Sequence, residues 1–273
     1  MNQEITGDTT VRGLADAWLK KLRNERRLEN TTINEYERVL SGLVIPELGT
    51  IRICALTTKH IDEVLKGLAA ESQNINRQRK AKVVTGAMLD EAVKSGAIAL
   101  NPVRRSMSVK RPKTRAAELR SSEVEAVRAA VQAWMDEKRP GPRATDDMAD
   151  LIDVMLGTGA RIGEVLALRW HDIDIAAKRV QIAATIKTET GLGTYRKPLA
   201  VARSLDIPEF TINALRRRQS RSRDVHTDAV FATRNGTWQQ VNNVERRWRQ
   251  IRKAAGLDWV KPEAFRHSAV PEV

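Results

Sequence analysis

Two short runs of this chain place an arginine where a helix could help it bind an anion. Residues 158–172 read Thr-Gly-Ala-Arg-Ile-Gly-Glu-Val-Leu-Ala-Leu-Arg-Trp-His-Asp, and a later run reads Phe265-Arg266-His267-Ser268. Thr158 and Gly159 are suited to begin a helix, so we expect Arg161 in its first turn, where free amides and the helix dipole favour a phosphate. The simpler alternative for this run is an amphipathic helix with one solvated arginine.

The composition agrees with a partner made of phosphates. The 273 residues include 47 Lys and Arg against 34 Asp and Glu, a formal net charge of +13. Nucleic-acid-binding chains carry such an excess, although a solvated basic surface gives the same count. The one cysteine, Cys54, excludes a disulfide framework and a cysteine-rich metal site. No apolar run approaches the roughly 20 residues of a membrane helix, and the start has no secretory pattern, so we expect a cytosolic (cytoplasmic) protein.

The spacing of apolar residues predicts an all-helical first domain. Stripes such as Val11, Leu14, Trp18 and Leu22 recur at helical spacing, and four helices follow one another up to Asn101-Pro102. Thr32 and Glu35 form a possible capping box, and Pro46 should end the second helix. We expect a short tail over 1–8, a helical domain over 9–107, a basic linker over 108–118 and a second domain over 119–273.

The second domain is predicted to be mostly helical with a small antiparallel sheet. Ser122 and Glu125 form another possible capping box at its first helix. After Asp174 the apolar residues alternate, which predicts two short strands, 180–184 and 205–207, around a polar stretch from 188 to 203. Helices return over 211–218 and 241–255. The chain as a whole is therefore expected to be mainly α, with an α+β second domain.

These motifs resemble those of the tyrosine recombinases, in particular phage-type integrases of the actinobacterial kind, over nearly everything from Thr9 to Ser268. Thr158-Gly159-x-Arg161-x-x-Glu164 followed by Leu168-x-Trp170-x-Asp172 is similar to the family's first catalytic-arginine motif, and Arg266-His267 to the second. The helical first domain resembles the family's core-binding domain. The resemblance implies a protein that clamps double-stranded DNA at attachment sites, forms oligomers on it, and exchanges strands through a 3′-phosphotyrosine link without metal or nucleotide cofactor.

The resemblance also implies roles for the residues of the site. Arg161 and Arg266 would bind the non-bridging oxygens of the phosphodiester through charge-assisted hydrogen bonds, and Glu164 would support Arg161 by an ion pair. A hairpin lysine would act as general acid for the 5′-hydroxyl leaving group. Counting back from the strand at 203–208 favours Lys197, with Lys187 as the rival, and an exposed hairpin charge is the alternative for either.

Several basic residues outside these motifs are candidates for contact with DNA. Arg77, Arg79 and Lys80 begin the fourth helix and could enter a groove, contact phosphates or face solvent. The cluster at 216–218, with Arg221 and Arg223, has the same alternatives of DNA contact or solvated surface. A basic linker would cross a DNA backbone, and its candidate residues are Lys110, Arg111, Lys113 and Arg115.

Two departures from the family pattern bear on catalysis. Glu263 stands three residues before Arg266, where the family usually has histidine, and its ionised carboxylate would repel a phosphate. The family's nucleophilic tyrosine lies well after the second arginine, whereas the tyrosines of this chain are Tyr36 and Tyr195. We therefore expect a C-terminally truncated member that binds core DNA sites without cleaving them. The alternatives are a recombinase whose nucleophile comes from another chain, a non-catalytic regulator that occupies attachment sites, and an inactive prophage remnant.

Overall fold

The computed structural model describes residues 5–72, 74–110, 118–137, 147–189, 191–221 and 227–268. The chain divides into two compact units, Met1–Lys113 and Thr114–Val273, each with its own hydrophobic core. The division falls within the stretch for which a linker is predicted. Among the described helices, none is both long and apolar enough to cross a membrane.

The first unit is helical, as its apolar stripes predict. Its core holds Leu14, Leu40, Leu65 and Met88, and Trp18 stacks on a half-buried Tyr36 with ring centroids 5.5 Å apart. The elements are α1 (Val11–Glu25), α2 (Asn30–Val39), a π-helical turn (Leu40–Val44), α3 (Ile45–Leu48), a 3₁₀ turn (Ile53–Ala55), α4 (Thr58–Glu71), α5 (Ile75–Lys94) and a 3₁₀ turn (Pro102–Arg105).

Two local predictions for this unit are wrong. Thr32 is not a cap, because α2 already begins at Asn30 and the Thr32 amide donates to the Glu29 carbonyl within the first turn. Pro46 does not end the helical path, because the π-helical turn leads directly into α3. Pro46 lies in the first turn of α3, directly after the π-helical turn, and the helical path continues through it.

The second unit combines helices with a three-stranded antiparallel sheet in the order β1-β2-β3, so the predicted mainly α fold with a small sheet is confirmed. Its elements are α6 (Ser121–Asp136), α7 (Asp147–Thr158), α8 (Ile162–Val165), a 3₁₀ turn (Trp170–Asp172), β1 (Ile173–Asp174), β2 (Arg179–Glu189), β3 (Gly193–Asp206), α9 (Glu209–Arg221), α10 (Val241–Ala254) and α11 (Pro262–His267).

The sheet is larger than the sequence predicts. The stretch expected to be a polar loop forms most of a long hairpin, whose register runs from Arg179↔Asp206 to Glu189↔Gly193. The apolar residues of the hairpin lie mainly on its buried face. The residues on its exposed face are mostly polar, so in sequence they resemble a loop. The hairpin has one irregularity, since Ile182 pairs with Arg203 and Ala184 with Pro198. Residues 199–202 of β3 therefore bulge opposite Ala183.

Helix α7 is the centre around which the second unit packs. Gly157 lies so close to α9 that a Cβ atom there would be 1.8 Å from Thr211 Oγ1. Asp150 and Asp153 of α7 accept hydrogen bonds from Arg217 of α9 at 2.8 and 3.2 Å. Arg217, although partly exposed, is thus held by two carboxylates of its own unit, and Arg218 donates to the Val230 carbonyl. Arg223 of the same predicted cluster lies outside the described residues.

The predicted cap of α6 is displaced by two residues. The helix begins at Ser121, and the Glu123 carboxylate accepts a hydrogen bond of 2.7 Å from the Arg120 amide. Ser122 and Glu125 therefore lie inside the helix and do not cap it. Sequence patterns placed the helix correctly but not its first residue, as is common for helix ends.

Candidate functional site

The run 158–172 folds as a break between two helices, and not as the start of one long helix. Thr158 ends α7, where its hydroxyl donates to the Val154 carbonyl at 2.6 Å, and Gly159 adopts φ +59°. Arg161 is the N-cap residue of α8, a helix of only 4 residues. The expectation of a helix dipole acting on a phosphate at Arg161 is therefore wrong, because the peptide dipoles of so short a helix add up to only a small total dipole.

Glu164 organises the site from a buried position. Its Oε2 accepts hydrogen bonds from the Arg161 amide at 3.0 Å and from Arg203 Nη2 at 2.6 Å, while Oε1 accepts from Arg161 Nη1 at 3.2 Å. The Glu164 side chain is 4% exposed. Burial raises the pKa of this carboxyl, but the hydrogen bonds from Arg203 and Arg161 outweigh burial, so the pKa lies below its ordinary value. Glu164 is thus held ionised between two guanidinium groups.

The two arginines around Glu164 still face solvent. The Arg161 side chain is 64% exposed and the Arg203 side chain 39% exposed. Two guanidinium groups around one carboxylate leave one uncompensated positive charge with exposed N–H donors. This arrangement suits an oxyanion that accepts paired hydrogen bonds.

Arg203 is the functional candidate that sequence reasoning missed. It precedes Leu205 and Ile207 at a spacing of two, which places it on the inward face of β3. An arginine on an inward face requires a carboxylate partner. The spacing of two from Leu205 and Ile207 is the available signal, but the sequence pattern predicts that residue 203 ends a polar loop, which conceals it.

The two candidate lysines lie on one face of the hairpin. Lys197 pairs with Thr185 and Lys187 pairs with Tyr195, two residues along the same strands. A Cβ atom on Gly163 would lie 2.8 Å from Thr185 Oγ1, so this glycine brings α8 against that face. Lys197 is therefore a cross-strand neighbour of the residue that meets α8, and Lys187 lies two pairs closer to the hairpin end. Both lysines remain candidates.

Asp172, the last residue of the run, also binds the hairpin. Its Oδ2 accepts hydrogen bonds from the Arg169 amide at 3.0 Å and from Arg196 Nη2 at 3.2 Å. Arg196 also donates through Nε to the Ala167 carbonyl at 3.0 Å. The Asp172 and Arg196 side chains are 5% and 13% exposed. This ion pair is therefore structural, and Arg196 is a second hairpin residue that the sequence did not reveal.

The second arginine lies on α11. Phe265 is buried and packs edge-on against Trp248, with ring centroids 5.2 Å apart, which leaves Glu263, Arg266 and His267 exposed. Helix α11 packs on α7, and so does α8, the helix that Arg161 caps. The two arginine motifs are thus attached to one central helix, and Glu263 and Arg266 are carried by the same short helix.

Helix α10 presents a basic face that the sequence analysis did not single out. Val244, Trp248 and Ile251 are buried, whereas Arg246, Arg249 and Lys253 are exposed on other sides of the helix. Within the described part of the chain, none of these three cations is paired with a carboxylate. The signal was present, because the basic residues Arg246, Arg249 and Lys253 alternate with an apolar stripe at helical spacing.

The predicted DNA contacts of the first unit have varied surroundings. Arg77 lies 3.5 Å from the Glu71 carboxylate, and Lys80 forms an ion pair with Glu35. Arg79 is half-buried and lines a cavity of about 510 Å³ together with Lys82, Val83, Asp90 and Arg104. Lys110 is exposed. Arg111, Lys113 and Arg115 lie outside the described residues.

Comparison with known proteins agrees with these motifs. A model of the phage integrase family matches residues 117–271. Tyrosine recombinase XerC of Proteus mirabilis is 25% identical over 283 residues, which covers 98% of this chain and 82% of that protein. A tyrosine recombinase XerC-like protein of Caldanaerobacter subterraneus subsp. tengcongensis is 30% identical over 135 residues. That second match covers 41% of this chain and spans only 34% of the relative's length.

Solved structures share the fold. The Tn1549 transposon integrase in complex with a circular intermediate DNA has a TM-score of 0.78 at 20% identity, over 95% of this chain and 85% of that one. A lambda integrase dimer bound to a COC′ core site has a TM-score of 0.69 at 18% identity, over 95% of this chain and 69% of that one. Because the family model matches more than half of the residues, the chain belongs to the phage integrase family.

Proposed function

We propose that this member of the phage integrase family is a site-specific DNA recombinase by descent that binds attachment-site DNA through a phosphate at Arg161. The observation that carries the proposal is the pair of exposed guanidinium groups, Arg161 and Arg203, on the buried Glu164 carboxylate. In the proposal, Arg266 supplies a second guanidinium to the same phosphate. Lys197 or Lys187 is the hairpin lysine, which would donate a proton to a leaving oxygen only in a complex that also supplies a nucleophile.

The rest of the proposed DNA surface comes from separate basic elements. The exposed face of α10, with Arg246, Arg249 and Lys253, contributes contacts to neighbouring phosphates. We assign the first unit a DNA-clamping role through Arg79 and the predicted contacts around it. In this proposal, Arg77 and Lys80 exchange Glu71 and Glu35 for phosphate when DNA binds. The basic residues between 108 and 118 cross the backbone, and several copies assemble on one DNA site.

These 273 residues are proposed to bind DNA without cleaving it. Tyr36 is stacked on Trp18 in the first unit, far along the chain from both arginine motifs. The Tyr195 hydroxyl donates a 2.6 Å hydrogen bond to Glu189 Oε1 within the hairpin. Neither tyrosine corresponds to the family's nucleophile, and strand cleavage of this type requires one. The exposed Glu263 further opposes a phosphate at Arg266.

The binding half of the proposal is tested by selecting DNA for this chain. A pool of random-sequence duplexes is enriched with the unaltered protein, and the winning duplex is footprinted and titrated at several salt concentrations. Arg161→Ala should weaken binding and reduce the log–log salt slope by about 0.9, the contribution of one phosphate. Arg179→Ala is the matched control, since Arg179 is 58% exposed and, like Arg161, is paired with a carboxylate, that of Asp206. Equal affinities of the Arg161 and Arg179 variants would reject the phosphate role.

The cleavage half is tested with a nicked suicide substrate of the selected duplex. The chain alone should give no covalent protein–DNA adduct on a denaturing gel. An adduct that disappears in Tyr195→Phe or Tyr36→Phe would reject the proposed lack of cleavage.

A regulatory role is the second candidate function, and the placement of the two tyrosines favours it. A chain that occupies an attachment site without cleaving it would reduce recombination by an intact integrase on that site. Adding the chain to such a reaction should inhibit it, and Arg161→Ala should remove the inhibition. Stimulation that depends on Arg161 would instead indicate that the nucleophile is supplied by the other chain.

A further inference from the structure

Two ion pairs fasten strand β3 to the run that contains Arg161. Arg203 binds Glu164 at 2.6 Å, and Arg196 binds Asp172 at 3.2 Å. The two arginines lie on opposite sides of the bulge at 199–202, and Lys197 directly follows Arg196. The segment that carries the candidate lysine is therefore anchored at both ends to the 158–172 run.

The two carboxylate oxygens of Glu164 accept hydrogen bonds from different sets of donors. Oε2 accepts hydrogen bonds from the Arg161 amide and from Arg203 Nη2. Among the described contacts, Oε1 accepts only from the Arg161 guanidinium. Arg203 thereby helps fix the rotation of the carboxylate, and that rotation sets the direction in which Oε1 meets Arg161. Without Arg203, one strong charge-assisted bond that holds the carboxylate plane is lost.

The orientation of Arg161 matters because its side chain is long and mostly exposed. An arginine side chain loses much rotamer freedom when its planar guanidinium group binds a phosphate. A guanidinium group that is already oriented therefore binds more tightly. The ion pair with Glu164 is the one described contact of the Arg161 guanidinium. Any residue that fixes Glu164 therefore acts on the phosphate through Arg161.

We propose that Arg203 is a positioning residue, which orients Arg161 through Glu164 and holds the lysine-bearing hairpin beside it. This inference rests on the proposed phosphate role of Arg161. It differs from a direct role of Arg203 in the DNA interface, for which its 39% exposure alone would be the argument. The two roles predict different behaviour when Arg161 is absent.

A double-mutant cycle on DNA affinity separates them. The probe is the duplex enriched from a random pool by the unaltered protein, and the variants are Arg203→Met, Arg161→Ala and the two combined. Arg203→Met should weaken binding about fivefold in the unaltered chain and leave affinity within about twofold in the Arg161→Ala background, since coupled residues are not additive. Arg203→Lys, which keeps a cation beside Glu164, should restore part of the affinity. A loss of the same factor in both backgrounds would overturn the positioning role.

Two controls keep the outcome interpretable. Arg179→Met removes an exposed arginine–carboxylate pair from the same sheet and should leave affinity unchanged. If Arg203→Met lacks a cooperative unfolding transition, Arg203→Lys and Glu164→Gln replace it in the cycle. Glu164→Gln should then weaken binding only when Arg161 is present, and a loss independent of Arg161 would contradict the proposal.

Failure of the inference and failure of the proposed function give different results. If Arg161→Ala binds the selected duplex as tightly as the unaltered chain, the phosphate role fails and the positioning role falls with it. If Arg161→Ala weakens binding while Arg203→Met does not, only the positioning role is overturned.

Discussion

At the scale of single residues, Glu164 is the residue on which the site depends. The family resemblance implies its ion pair with Arg161, and the structure explains the pair, because the two residues occupy the N-cap and N3 positions of α8, which face each other. The contribution of Arg203 was not predictable in the same way. It comes from residue 203, across the turn of a long hairpin, and such pairing depends on strand register, which the sequence alone left unresolved.

The ionisation of Glu164 predicts a loss of stability in acid. Its folded pKa is below the ordinary value of 4.5, so its contribution is complete above that value and is lost as pH falls through the folded pKa. The free energy of unfolding, measured by denaturant titration from about pH 6 to about pH 3, should therefore fall more steeply for the unaltered chain than for Glu164→Gln. Glu125→Gln, at an exposed position of α6, serves as control and should follow the unaltered chain. Parallel curves for all three proteins would contradict the role of Glu164.

Substitution of Glu263 should strengthen DNA binding, whereas substitution of Arg161 should weaken it. Its carboxylate is exposed on the same short helix as Arg266, so it should repel a phosphate bound there. Glu263→Gln should tighten binding of the selected duplex by about two- to fivefold, the range of a single exposed charge interaction. Titration at low and high salt checks the cause, because a charge effect must shrink as salt rises. Unchanged or weaker binding at low salt would place Glu263 away from the bound phosphates.

At the scale of elements, the helices and the presence of two antiparallel strands were predictable, whereas the length of the hairpin was not. The stripes of α1, α4 and α10 repeat apolar residues at helical spacing and predict these helices, because tertiary packing buries one face of each. Strand β2 alternates buried Ile182, Ala184 and Ile186 with mostly polar residues, which resemble those of a loop. Its bulge also breaks the alternation on β3, and a pattern of period two cannot be followed across such an insertion.

The contact between α7 and α9 predicts a large effect of a small substitution. A Cβ atom at Gly157 would lie 1.8 Å from Thr211 Oγ1 and 2.9 Å from its Cβ. Gly157→Ala should therefore lower the free energy of unfolding by about 1–3 kcal/mol through overpacking. Gly67→Ala in α4 is the matched control, since nothing lies within 4 Å of a Cβ atom there. That control should be neutral or stabilising by up to about 1 kcal/mol, and a similar loss in both variants would contradict the packing argument.

The basic face of α10 predicts a change in salt dependence without a change in fold. Arg246→Ala combined with Arg249→Ala removes two exposed cations that pair with no described carboxylate. The log–log slope of DNA affinity against salt should fall by about 1.8, two phosphate contacts at about 0.9 each. Arg216→Ala with Arg179→Ala removes two arginines already paired with carboxylates, and its slope should stay near that of the unaltered chain. Equal slopes in the two double variants would exclude α10 from the DNA surface.

At the scale of the whole molecule, the net charge and the motifs indicated the class of ligand and the family, whereas the predicted helices and strands did not. The net charge of +13 and the two arginine motifs indicated a polyanion partner and the family, and the family match over residues 117–271 agrees. The same charge misled at individual positions. The cluster at 216–218 is a candidate DNA contact by charge alone, yet Arg217 within it is bound to Asp150 and Asp153 of its own unit. Composition counts cations without their partners, so it reports the class of ligand and not the contact surface.

The central claim is that Arg161 holds one DNA phosphate, and neutralising phosphates one at a time tests it most directly. Each phosphate of the selected duplex is replaced in turn by an uncharged methylphosphonate, and affinity is measured for the unaltered chain and for Arg161→Ala. We expect one position per protein copy at which neutralisation weakens the unaltered chain about tenfold and leaves Arg161→Ala unaffected, the signature of two groups that contact each other. If every position affects the two proteins by the same factor, Arg161 does not hold a phosphate and the proposed function is wrong.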